Sequence, residues 1–296
     1  MTIQEKLSGT GVAIITPFRK DSSIDFLSLE KLLSHILSNN VDYLVVLGTT
    51  GETATLSADE KKAVLNFVID TVDGKVPIVA GFGGNNTAEV VSNIKYYNFK
   101  GIDAILSVAP YYNKPNQKGL YNHYKSIATA SSLPIILYNV PGRTGVNISA
   151  ETILQLASDF ENIVAVKEAS GDFEQIMHIL KYKAANFMVI SGDDLLALPL
   201  ISMGANGVIS VVANAFPKEY SDLINFALKG RFNEAMQIQY HLLEIIQTLF
   251  VEGNPAGIKA ALKILEITPN YLRQPLDPIS KSTYNKLSKM IGELSK

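Results

Sequence analysis

Cysteine is absent from this 296-residue chain, which excludes disulfides, thiolate nucleophiles and zinc–cysteine sites. A cysteine-free chain suits a reducing compartment, so a cytoplasmic location is expected. Histidine is scarce: His35, His123, His178 and His241 lie far apart, none in a metal-ligand spacing, so they read as surface or packing residues and no metal is expected. Neither sign of charge dominates. Lysine and arginine total 26 against 28 acids, a net charge of -2 that offers no footprint for nucleic acid or anionic lipid. No stretch reaches the roughly 18 apolar residues of a membrane span. Met1 to Thr10 has no basic start leading into an apolar run, and a soluble protein is expected. A phosphate cradle is missing too. Gly81-Phe82-Gly83-Gly84-Asn85-Asn86 fits neither GxGxxG nor a Walker pattern and reads as a tight strand-to-helix turn.

What the chain does have is alternation. Eight short apolar runs are separated by segments of helical period: Val12 to Thr16, Tyr43 to Gly48, Val76 to Gly81, Ala104 to Ala109, Pro134 to Asn139, Ile163 to Glu168, Phe187 to Gly192 and Gly207 to Val212. Ser57 with Glu60 makes a capping box, and Ser149 and Asp172 sit where helix N-caps belong. Between Asp25 and Asn40, Phe26, Leu29, Leu32, Leu33, Ile36 and Leu37 form one stripe able to cover a sheet. An open doubly wound sheet would also use such units. Eight strands in strict alternation favour closure into a (β/α)8 TIM barrel, residues 1–216. Residues 217–296 read as the last barrel helix and a C-terminal helical extension packed on the barrel or on another subunit, with helices over Arg231 to Val251, Pro255 to Glu266 and Ser280 to Leu294.

Within this pattern Lys167 is out of place. It follows the run Ile163-Val164-Ala165-Val166, which reads as a strand buried on both faces, and lysine is rarely buried without a reason. It could snorkel to water or pair with Glu168. It could instead be a desolvated amine, which gives up its proton more readily and forms a Schiff base with a carbonyl. A barrel's active site lies at the C-terminal ends of its strands, and the unusual residues gather at those ends: Thr49 and Thr50, Tyr111 and Tyr112, Tyr138 and Arg143, Gly192, and Ile209 with Ser210. Hydroxyls and a guanidinium converging on one lysine favour the functional alternative. Tyr138, linked through Thr49 to Tyr112, would carry protons between the amine and solvent. Thr50 would hold a carboxylate, and Arg143 could grip a second one.

Gly48-Thr49-Thr50-Gly51-Glu52, Pro110-Tyr111-Tyr112-Asn113, Tyr138-Asn139-Val140-Pro141-Gly142-Arg143 and Val166-Lys167-Glu168-Ala169 resemble the dihydrodipicolinate synthases, also called 4-hydroxy-tetrahydrodipicolinate synthases, over essentially the whole chain. The resemblance implies a lyase, a class I aldolase that condenses pyruvate with L-aspartate 4-semialdehyde in diaminopimelate and lysine biosynthesis. It implies no cofactor beyond a covalent pyruvate imine on Lys167, with Tyr138, Thr49 and Tyr112 as the proton relay. Thr50 and the backbones of Gly192 and Ile209 would bind pyruvate, and Arg143 would bind the semialdehyde. It also implies a homotetramer, a dimer of dimers, in which Tyr112 serves the neighbouring subunit. A lysine effector site would use Thr53, Ala54, Asn85, Glu89 and Tyr111. Ala58 and Lys61 stand where lysine-sensitive members often carry histidine, which leaves inhibition open.

Two other functions stay in view. N-acetylneuraminate lyase and the sugar-acid aldolases share the fold and the lysine, but a neutral polyol chain has no use for a buried guanidinium at Arg143. A non-catalytic relative that senses pyruvate or an amino acid would not need every catalytic group to be present.

Overall fold

The computed structural model describes residues 1–294; Ser295 and Lys296, the end of the expected extension, lie outside the described residues. Eight strands close into one parallel barrel in sequence order: β1 (Gly9–Ala13), β2 (Tyr43–Val46), β3 (Ile78–Gly81), β4 (Ala104–Val108), β5 (Ile135–Asn139), β6 (Ile163–Glu168), β7 (Met188–Ser191) and β8 (Gly207–Ser210). A short N-terminal helix, α1 (Ile3–Lys6), sends Leu7 and Ile3 into the barrel interior and so fills its lower end. The barrel helices are α2 (Phe26–Leu37), α3 (Ala58–Val72), α4 (Thr87–Tyr96), α5 (Gln117–Ala130), α6 (Pro141–Thr144), α7 (Ala150–Asp159), α8 (Phe173–Tyr182), α9 (Ala197–Ser202) and α10 (Pro217–Leu228). Then come α11 (Phe232–Phe250), α12 (Ala256–Ile264) and α13 (Lys281–Leu294). Among the described residues, no helix is long and apolar enough to cross a membrane.

Local chemistry sets many of these boundaries. Ser57 and Glu60 form the expected reciprocal capping box of α3, and Ser149 and Asp172 accept from the backbone N–H groups of Thr152 and Gln175. The stripe on α2 buries Leu29, Leu32, Leu33 and Ile36 against the barrel. One core lies between strands and helices. A second fills the barrel itself, where Val45, Leu106, Ile136 and Ile190 meet.

The first strand departs from expectation. It runs Gly9–Ala13, not Val12 to Thr16, because Gly9 to Val12 pair with Gly207 to Ser210 of β8. Two features hid this: glycine carries no strand signal, and its use here is close approach. A Cβ on Gly11 would overlap the edge of the Tyr43 ring, and one on Gly207 would overlap the Gly9 backbone. Ile15 has already left the sheet, and its N–H donates to the Asn214 side chain at 3.1 Å.

Candidate active site

Among the described residues two lysines are almost fully buried, and their surroundings separate them. Lys259 on α12 is 0% exposed and is ion-paired with Glu52; burial pulls it down to about 8 against that attraction. Lys167, at the C-terminal end of β6, is 6% exposed, and among the described residues no carboxylate pairs with it. Its Nζ lies 4.3 Å from the centre of the Tyr138 ring, on the adjacent strand, where Tyr138 and Lys167 are register partners. An unpaired amine in a dry pocket can act as a nucleophile; one locked to a carboxylate cannot.

Lys167 neither snorkels to water nor pairs with Glu168. Successive strand residues face opposite ways, so Glu168 points out of the barrel. There it accepts from Asn139 Nδ2 at 3.1 and 3.2 Å, Ser170 N–H at 2.8 Å and Gln175 Nε2 at 3.1 Å. Burial raises its carboxyl above the usual range, and these donors oppose the rise. Asn139 Oδ1 also accepts from Ile148 N–H at 3.0 Å, which ties down the far end of the loop that carries Arg143.

Gly192, after β7, packs closely against Ala169 and Lys167. A Cβ there would stand 2.7 Å from Ala169 Cβ and 3.0 Å from Lys167 Cε. Its N–H donates to the Glu168 carbonyl at 2.8 Å. Ile209 is buried on β8. The exits of β7 and β8 share only one register pair, Ser191 with Val208. Asp194 reinforces them by accepting from the Ser210 hydroxyl and from Val211 N–H at 3.0 Å. Burial pushes its carboxyl up to about 6.

Thr49, Thr50 and Gly51 form a single 3-10 turn after β2. Thr50 is buried, and its hydroxyl accepts from Asn254 Nδ2 at 2.9 Å. A cavity of about 840 Å³ opens beside this turn and is lined by Thr49, Tyr138, Arg143 and Asn254. It continues to Thr53, Ala54, Glu89 and Tyr111, four of the five residues expected to bind an effector, and Lys61 lies on the same wall. Asn85, the fifth, donates to the Tyr111 carbonyl at 3.3 Å.

One expectation needs correcting for the single chain. Arg143 is exposed at the rim rather than buried, because the short α6 carries it outward. Tyr112 is 85% exposed, and its left-handed backbone, φ 73°, turns it away from the barrel. Among the described residues, the hydroxyls of Tyr138, Thr49 and Tyr112 share no hydrogen bond, so one chain does not join them into a relay. Two histidines pack, His123 buried against Thr87 at 2.8 Å and His35 meeting the Ala215 carbonyl at 3.2 Å, whereas His178 and His241 are exposed. No cluster of three His, Cys, Asp or Glu side chains able to hold a metal occurs among the described residues. Sequence reasoning missed Asn254, Lys259 and the use of Glu52. Asn254 lies in the short break between two helices, where an asparagine is ordinary, and a lysine inside α12 carries no signal until its partner is known.

Comparison with known proteins agrees with this geometry. Residues 6–294 match the model of the dihydrodipicolinate synthetase family. The 4-hydroxy-tetrahydrodipicolinate synthase of Parabacteroides distasonis is 53% identical over 289 residues, covering 98% of this chain and 97% of that protein. The solved structure of the chloride-inhibited dihydrodipicolinate synthase of Acinetobacter baumannii complexed with pyruvate is 39% identical, covers 98% of this chain and 99% of its own, and superposes with a TM-score of 0.94. A structure described as the first monomeric dihydrodipicolinate synthase variant is also 39% identical, covers 99% of this chain and 98% of its own, and has a TM-score of 0.95. With closed barrel, buried unpaired lysine and nearly full-length likeness in agreement, the chain belongs to the dihydrodipicolinate synthetase family.

Proposed function

We propose that this chain is a 4-hydroxy-tetrahydrodipicolinate synthase, condensing pyruvate with L-aspartate 4-semialdehyde through an imine on Lys167. The carrying observation is a lysine, 6% exposed and without a carboxylate partner among the described residues, its amine set against the Tyr138 ring in a member of this family. The neutral amine attacks the pyruvate ketone to give a carbinolamine, whose hydroxyl takes a proton and leaves as water while the C–N bond becomes the imine. Loss of a methyl proton makes an enamine, whose carbon adds to the aldehyde as the new alkoxide gains a proton. The semialdehyde's amine then displaces Lys167 from the imine carbon and closes the ring.

Tyr138 is the group assigned to donate and accept these protons, with Thr49 and Tyr112 completing the relay. Thr50, with the backbones of Gly192 and Ile209, holds the pyruvate carboxylate, and Arg143 at the rim takes the carboxylate of the semialdehyde. Of the C-terminal part, residues 217–296, Pro217–Leu228 is the last barrel helix, and the helical extension that follows it reaches the barrel's mouth through Asn254. Assembly as a homotetramer in the cytoplasm is part of the same proposal. An exposed Tyr112 suits a role in a neighbouring subunit's site. A folded monomeric variant, verified by sedimentation, is expected to lose activity; full activity would remove Tyr112 from that role.

The test of the chemistry is borohydride reduction in the presence of pyruvate, read by mass spectrometry on the wild type and Lys167→Ala. An adduct on Lys167, absent from the variant and accompanied by turnover of the semialdehyde, is expected. No wild-type adduct would refute the imine, and an adduct without turnover would point to sugar-acid cleavage.

A further inference from the structure

The turn that carries Thr49 and Thr50 is held from outside, residue by residue. Thr50 Oγ accepts from Asn254 Nδ2 at 2.9 Å, and the Gly51 carbonyl accepts from the Thr16 hydroxyl at 2.7 Å. Glu52 closes the turn in the left-handed region, φ 52°, where a side chain with a Cβ is disfavoured unless its surroundings impose it. Both carboxylate oxygens of Glu52 are occupied by the C-terminal extension: Oε1 by Lys259 Nζ, and Oε2 by Arg273 N–H at 3.0 Å. Lys259 Nζ also donates to the Tyr271 carbonyl at 2.9 Å and sits 4.2 Å from the centre of the Phe18 ring. The Arg273 guanidinium covers Phe18 at 4.5 Å and binds Glu60 on α3.

A fully buried ion pair adds little net stability over an apolar pair of the same shape, because two charges must be stripped of water to form it. What such a pair does supply is direction, since each charge tolerates only one placement of the other. We propose that Lys259 is a positioning residue for pyruvate: acting through Glu52, it locks the Gly48–Glu52 turn so that the Thr50 hydroxyl faces the substrate carboxylate. The assignment rests on the proposed function, in which Thr50 binds that carboxylate. It adds a role for the C-terminal extension in substrate binding.

The test uses steady-state kinetics and borohydride trapping on the full-length protein. Three variants are compared: Glu52→Gln, the charge-free double variant Glu52→Gln with Lys259→Met, and Glu60→Gln. The double variant guards against a misfolded single substitution, because it leaves no buried charge unpaired. In Glu52→Gln and the double variant, half-saturation for pyruvate is expected to rise by about tenfold, with kcat at saturating pyruvate within about twofold of wild type. Half-saturation for the semialdehyde should not move. Glu60→Gln, which breaks the same cluster away from the turn, should leave pyruvate half-saturation unchanged. Pyruvate half-saturation at the wild-type value in the folded double variant would overturn the assignment, as would an equal rise in Glu60→Gln. Absence of a pyruvate adduct in the wild type would instead refute the functional proposal beneath it.

Discussion

Strands β2 and β6 stand diametrically opposite in the closed barrel, and the two walls they carry are held by different means. Behind Lys167 the support is local. Asn139 and Glu168 are the register pair directly beyond Tyr138 and Lys167, and their side chains, 29 residues apart in sequence, bond on the outer face of the same two strands. Behind Thr50 the support is remote: Asn254 is 204 positions away, Lys259 is 207 from Glu52, and Arg273 is 221 from it. A strand ladder fixes two neighbouring side chains as a consequence of backbone pairing. A 3-10 turn has no ladder, so its hydroxyls take their direction from whatever packs against them. The wall assigned to chemistry is thus rigid by construction, and the wall assigned to pyruvate binding is clamped by an added segment.

Breaking the local wall should have the largest effect. Asn139→Ala strips Glu168 of a donor and leaves Ile148 N–H without its acceptor, two buried groups at about 1–3 kcal/mol each. Thermal denaturation should show a drop of several degrees. In the protein that remains folded, kcat should fall while pyruvate half-saturation holds, the opposite of the split expected for Glu52→Gln. If both variants moved the same kinetic parameter, the two walls would not be separate devices.

A smaller effect would sharpen the comparison at the third edge, where Asp194 ties β7 to β8. Its carboxyl is raised from 3.8 to about 6 by burial, so the folded state favours the protonated form. The stability this contributes is fully present below about pH 4 and is lost as pH rises through about 6. Relative to Asp194→Asn, the wild type should therefore lose about 3 kcal/mol between those limits and then level off. Denaturant titrations at several pH values measure this directly; a difference flat with pH would mean that Asp194 titrates alike in folded and unfolded chains.

Legibility in the sequence followed the range of the forces involved. The run Ile163 to Glu168 keeps its boundaries in the structure, because a doubly buried strand is unbroken in apolar character until a charged residue interrupts it. The Ser57–Glu60 box was equally plain, being a contact three residues long. β1 was misplaced because Gly9 and Gly11 serve packing that only their neighbours reveal. Arg143 looked like a buried group because its chemistry was visible and its helix was not.

The sequence by itself determined the eight-unit alternation, the closure that this implies, and the lysine at the end of the sixth strand. Those features are written in periods and spacings of a few residues, and hydrophobic burial enforces them wherever they occur. The tertiary structure alone decided which buried lysine is free and which is tied. Lys167 and Lys259 are the same residue type in apolar surroundings, and only folding brings Glu52 across more than two hundred positions to one of them.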